Sequence, residues 1–177
     1  GRQGHYQTGQ QDWWDMDNPS APVLVTINRE DGPQDAVVQM TKMGLIFVLD
    51  RDTGEPIFPV DEVPVPPSTI PGEEAWPTQP IPRLPVSVSR TSMTVADLDD
   101  TSPERAARAL EEFNQLRNVP MYAPPSLTES IMIPATLGGI ERPGAPHDAT
   151  RHIHPAHSHA SPPTLQPLPA GQPQGAR

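Results

Sequence analysis

The sequence predicts an all-β, loop-rich fold, and three observations carry that expectation. Short β-branched or apolar runs recur between turn signals, at residues 23–27, 36–40 and 45–49. Proline is too dense for a helical bundle. The chain has 26 Pro and 12 Gly in 177 residues, about a fifth of the total against roughly 12% in average usage, and interior Pro breaks helices. Only one segment carries a helical period. Leu, Ile, Val and Phe also make up about a fifth of the chain, the edge at which a core can still form. Short strands with turns every 8–12 residues suit a sandwich, barrel or propeller.

Residues 1–18 are polar, with an aromatic pair at Trp13 and Trp14. Val23-Leu24-Val25-Thr26-Ile27 is a β-branched run bounded by Pro22 and by a polar turn ending in Asp31-Gly32, and Ala36 to Met40 follows. That order predicts a hairpin. Leu45-Ile46-Phe47-Val48-Leu49 is nearly continuous apolar sequence, the pattern of a strand buried on both faces. Gly54 then supplies a tight turn, and residues 55–60 are expected to pair back. Residues 61–90 hold eight prolines and read as an irregular surface loop or polyproline II segment; a PxxP ligand is the sharper, less favoured reading, since flanking basic residues are few.

The helix is expected to start at Thr101-Ser102-Pro103-Glu104, a capping box with Thr101 as the cap and Glu104 three residues on. Ala106, Leu110, Phe113 and the stem of Arg117 share one face, mainly for packing, until Val119-Pro120 ends the element. From residue 142 the character changes. Residues 142–177 hold 8 of the 26 Pro, 5 of the 6 His and a single acid, Asp148. No period of 2 or 3.6 is visible, so the tail is expected to be disordered. The domain division read from sequence is therefore 1–141 and 142–177.

The net charge of -10 disfavours nucleic acid and anionic membrane surfaces as partners. With no cysteine, there is no disulfide framework, thiolate metal site or Cys nucleophile. No run of about 18 apolar residues exists to span a membrane. No apolar signal segment opens the sequence either, so the chain reads as a processed product or a fragment. His152, His154, His157 and His159 form a metal lure, but Pro155 interrupts them and no acid lies nearby; weak adventitious binding is the most that spacing supports. Asn18-Pro19-Ser20 has Pro where a glycosylation acceptor forbids it. Neither a Gly-rich phosphate loop nor a G-x-S-x-G elbow is present. Asp12, Asp15 and Asp17 beside the Trp pair suit a hard cation such as Ca²⁺, or a general base, or simply a solvated acidic turn.

The stretch Tyr6-Gln7-Thr8-Gly9-Gln10-Gln11-Asp12-Trp13-Trp14-Asp15-Met16-Asp17 resembles a signature of the quinoprotein, PQQ-dependent dehydrogenases. The resemblance continues through Pro22 to Val25, Thr41 to Pro56, Val63 to Pro66, Pro77 to Pro80 and Ala123 to Ser126, and fades after Gly138-Gly139-Ile140-Glu141. The Pro-rich segment and the helix resemble the membrane-bound glucose/quinate/shikimate branch of that family.

The resemblance implies a fragment of an eight-bladed β-propeller with one inserted helix. It implies PQQ as cofactor and a divalent metal, usually Ca²⁺, without deciding against a lanthanide. Asp15 is implied as the general base, Lys42 as the residue that contacts PQQ oxygens, and Asp15 and Asp17 as metal ligands. The implied reaction is oxidation of a sugar or polyol in the periplasm, with electrons passed to a quinone or cytochrome, by a parent several times longer. On that reading the isolated chain is expected not to hold PQQ. Beyond Glu141 the sequence departs from the family pattern, as a frameshifted reading of a GC-rich gene would. The alternative from another class is a noncatalytic, secreted, Pro-rich interaction protein, which tolerates changes at Asp15 and Lys42.

Overall fold

The computed structural model describes residues 4–136 and 138–140, and the backbone of Thr164–Leu165. Strands β1 (Val23–Arg29), β2 (Gly32–Met40) and β3 (Ile46–Asp50) form one antiparallel sheet in the order β1-β2-β3. The hairpin closes with Arg29 opposite Gly32, and Gly32 has φ +122°, which is why a glycine follows Asp31. The β2–β3 register sets Val38 opposite Val48 and Met40 opposite Ile46. Side chains alternate along β3. Ile46 and Val48 join Val25, Ala36, Val38, Met40 and Ile140 in one core. Phe47 enters the other core with Trp14, Met43, Leu45, Tyr122 and Met132. The apolar run is thus continuous because both faces of the strand are covered. Phe47 is fully buried, which stabilises the fold by about 1.5–3 kcal/mol relative to leaving it in water.

Residues 55–60 do not make the expected return strand. Leu49 and Pro56 form one bridge, Ile57 N–H donates to Val48 O at 2.8 Å, and Pro56 and Pro59 prevent a longer ladder. The Pro-rich segment is more regular than its sequence suggests. β4 (Val60–Pro64) and β5 (Thr78–Pro82) pair antiparallel from Val60–Pro82 to Pro64–Thr78. In a two-stranded ladder each strand keeps one free edge, where a residue lacking N–H is tolerated. Arg83 locks the end, with Nε and Nη2 each 2.7 Å from an Asp61 carboxylate oxygen.

Helix α1 runs Pro103–Gln115. Its cap is Ser102, not Thr101: Ser102 Oγ accepts from Arg105 N–H, and Pro103 opens the first turn. Thr101 instead donates to Asp99. The helix also ends earlier than the sequence suggests, with Leu116 as C-cap. Arg117 therefore leaves the helix face and begins β6 (Arg117–Asn118). No residue of α1 is buried, so its apolar stripe is not a core face.

β6 pairs parallel with β7 (Ser130–Ile131), and β7 pairs antiparallel with β8 (Thr164–Leu165). Within the segment 142–177, β8 is the described part, and its backbone is a strand where the sequence shows no period. The rest of the expected tail lies outside the described residues, as do the four clustered histidines. Among the described residues no helix is long and apolar enough to cross a membrane.

Candidate functional site

The acidic segment after Gln11 is folded by its own first carboxylate. Asp12 accepts Trp14 N–H at 2.9 Å through Oδ1 and Met16 N–H at 2.7 Å through Oδ2. This side-chain cap turns the chain within five residues. Trp14 is driven inward, and its indole N–H donates to Ala123 O at 2.9 Å. Its ring meets Tyr122 edge to face at 5.3 Å. Burial, with the charge of Asp12 adding to it, raises the pKa of the Tyr122 phenol above its ordinary value. With Trp14 held inside, Asp15 follows in a left-handed conformation, φ +60°, and its side chain is 77% exposed.

Lys42 arrives from the β2–β3 connection. Thr41 and Gly44 close a tight turn, with Gly44 N–H donating to Thr41 O at 2.9 Å and Gly44 at φ +76°. The lysine projects toward the acidic segment. Its Nζ donates to Asp15 O at 2.8 Å and to Asp15 Oδ2 at 3.3 Å. It also lies 2.6 Å from Asp17 Oδ1. The hydrogen bond to Asp17, with Asp15 adding to it against the opposing effect of burial, holds the Lys42 pKa above the usual lysine value. The ammonium therefore stays charged at neutral pH.

The three carboxylates of the sequence motif thus divide by role. Asp12 serves its own loop, while Asp15 and Asp17 share Lys42. The family resemblance points to Asp15, Asp17 and Lys42, and these three side chains lie together in the structure. Among the described residues, no group of three or more His, Asp or Glu side chains is placed to hold a metal ion. The described residues alone therefore do not complete a metal site. A half-buried lysine beside an exposed carboxylate does fit an anionic quinone cofactor.

Two further residues shape the site, and the sequence alone did not single them out. Gly138, at φ +88°, passes so close to Lys42 that a Cβ there would lie 2.7 Å from Lys42 Cγ. Gln79 on β5 is 1% exposed and bonds the main chain of Gln10. A Gly-Gly pair and a Gln between prolines are visible in the sequence, but their partners are 96 and 69 residues away, separations that chain order does not reveal. A cavity of about 140 Å³ lies between these parts, walled by Asp12, Trp14, Asp17, Thr41, Gln79 and Tyr122 among others.

A family model described as PQQ, glucose/ethanol/alcohol dehydrogenase, β-propeller domain, matches residues 2–176. The chain is 36% identical over 167 residues to a quinoprotein glucose dehydrogenase of Gluconobacter oxydans, covering 94% of this chain and 20% of that protein. It is 35% identical over 149 residues to a probable quinate dehydrogenase (quinone) of Xanthomonas campestris, covering 84% and 19%. It is 37% identical over 144 residues to a glycerol dehydrogenase large subunit of Gluconobacter thailandicus, covering 77% and 19%. The chain spans about a fifth of the length of the curated relatives it matches. No solved structure matches it.

Proposed function

The chain belongs to the PQQ-dependent glucose/ethanol/alcohol dehydrogenase family, within its β-propeller domain, and on that premise we propose that it carries the proton-accepting corner of a sugar or polyol dehydrogenase. The observation that carries this reading is the contact of Lys42 Nζ with both Asp15 O and Asp15 Oδ2. A carboxylate that must take a proton has to be ionised and reachable. Asp15 is exposed, and an ammonium stands beside it.

When bound, PQQ supplies the quinone carbonyl that takes up hydride from the alcohol carbon. Asp15 Oδ accepts the hydroxyl proton as the C–O bond becomes a carbonyl. Lys42 fixes the Asp15 main chain and side chain together, and its charge would offset negative charge developing on the quinone oxygens. Lys42 is the residue proposed to contact PQQ oxygens. Asp15 and Asp17 are the carboxylates this chain would offer to a divalent cation, Ca²⁺ by proposal, with the remaining ligands coming from elsewhere. The complete propeller is proposed to have eight blades and to work in the periplasm. A quinone or cytochrome is the proposed acceptor, and the likeness to the probable Xanthomonas quinate dehydrogenase (quinone) supports a quinone.

The test is a chimera that carries this chain in place of the matching fifth of the Gluconobacter oxydans enzyme. Loaded with PQQ and Ca²⁺, it is expected to reduce a redox dye with glucose, quinate or glycerol as donor, and the donor preference identifies the substrate. A folded chimera that binds PQQ yet reduces no dye with any of them contradicts the proposal.

A further inference from the structure

Gln79 is a buried polar side chain whose two hydrogen bonds both go to one distant residue. Its Oε1 accepts Gln10 N–H at 2.8 Å, and its Nε2 donates to Gln10 O at 2.7 Å. The amide imitates a strand partner, so the main chain of Gln10 is held as if in a ladder. Two left-handed residues lie close behind Gln10 in the chain: Gln11 and Asp15 adopt positive φ, +42° and +60°. Non-glycine residues stay in that region only where their surroundings hold them. Gln11 is held by its own Nε2, which donates to Glu74 O at 2.8 Å. Both holds come from the Pro-rich region, from β5 and from the chain that leads into it.

We infer that Gln79 is a positioning residue for Asp15, acting through the main chain of Gln10, and that the Pro-rich β4–β5 ladder is the buttress of the proton-accepting loop. Its catalytic meaning rests on the reading of Asp15 as base, but the contact itself does not. Releasing Gln10 loosens the segment that ends in the Asp15 carbonyl, and the Lys42 ammonium loses a fixed acceptor.

The test uses the 177-residue chain without cofactor, so its outcome is independent of whether Asp15 is the base. Lys42 is the only lysine. Labelling by an amine-reactive ester, read by mass spectrometry against the N-terminal amine, therefore reports a single side chain. In Gln79→Met the Gln10 amide is expected to lose hydrogen-exchange protection, and Lys42 labelling to rise about fivefold. Protection of the Val37 and Val38 amides in β2 should stay at the parent level. Gln79→Glu keeps the size but sets a buried carboxylate against the Gln10 carbonyl, and is expected to raise Lys42 labelling at least as much. Unchanged Lys42 labelling in a folded variant overturns the inference. Loss of β2 protection in both variants also overturns it, because a local clamp does not hold a sheet it does not bond.

Discussion

Lys42 Nζ stands 2.6 Å from Asp17 Oδ1, closer than its 3.3 Å approach to Asp15 Oδ2. The Lys42 side chain is 15% exposed and both aspartate side chains face solvent. The geometry is that of a fixed cation with two accessible acids. Its stability contribution is small because the acids are screened by water. Lys42→Met is expected to cost ~1 kcal/mol or less at neutral pH. The sign of the pH dependence comes from the raised lysine pKa. The contribution is complete below the ordinary value of 10.5 and is lost as pH rises through the raised one. Thermal melts of the two proteins should differ by a constant amount from neutral pH to about pH 10 and converge above it. A gap that grows in alkali would contradict the assignment.

Asp50 titrates the other way. Gln34 donates to it at 3.0 Å, and Thr53 donates its N–H at 2.8 Å and its hydroxyl at 2.9 Å. These bonds, Gln34 first, lower its pKa to about 2. A depressed carboxylate stabilises the fold above the unfolded value of 3.8, and that stability is lost as pH falls through about 2. Asp50→Ala should therefore melt below the parent by a constant margin above about pH 4, and the margin should close toward pH 2.

Trp14 joins the loop to the core by one hydrogen bond and by its bulk. Trp14→Phe keeps most of the bulk but leaves the buried Ala123 carbonyl without its donor, an expected loss of about 1–3 kcal/mol. Trp14→Ala adds a cavity, for about 3–5 kcal/mol. Urea titration followed by circular dichroism should rank the two variants in that order.

Gly138→Ala tests the room left for Lys42. A methyl group would meet Lys42 Cγ at 2.7 Å and Cβ at 2.9 Å, on a backbone at φ +88°. The left-handed conformation alone costs roughly 1–2 kcal/mol. Urea unfolding should show at least that loss, and amine labelling of Lys42 should rise because the side chain is pushed off Asp15.

Much of the β architecture was legible because burial writes a period into the sequence. The hairpin around Asp31-Gly32 and the two-sided burial of β3 come from alternation and turn chemistry. The pairing of β4 with β5 was not legible, since prolines suppress the strand signal while a two-stranded ladder tolerates them. Ser102 and Thr101 offer equivalent hydroxyls to a helix start, and only geometry shows which one bonds Arg105 N–H. Asp15 and Asp17 were visible as part of an acidic cluster, and Lys42 only through the family resemblance. Gln79 and Gly138 were not, because their importance lies in contacts with residues far away in the chain.

The central claim is that Asp15 takes the substrate's hydroxyl proton. Rapid mixing of the PQQ-loaded chimera with its sugar donor, following the cofactor's absorbance through a single turnover, tests it most directly. Asp15→Asn is predicted to retain PQQ while its reduction slows by roughly 10²–10⁴-fold, the range for losing a general base. Reduction at the parent rate in Asp15→Asn would contradict the account.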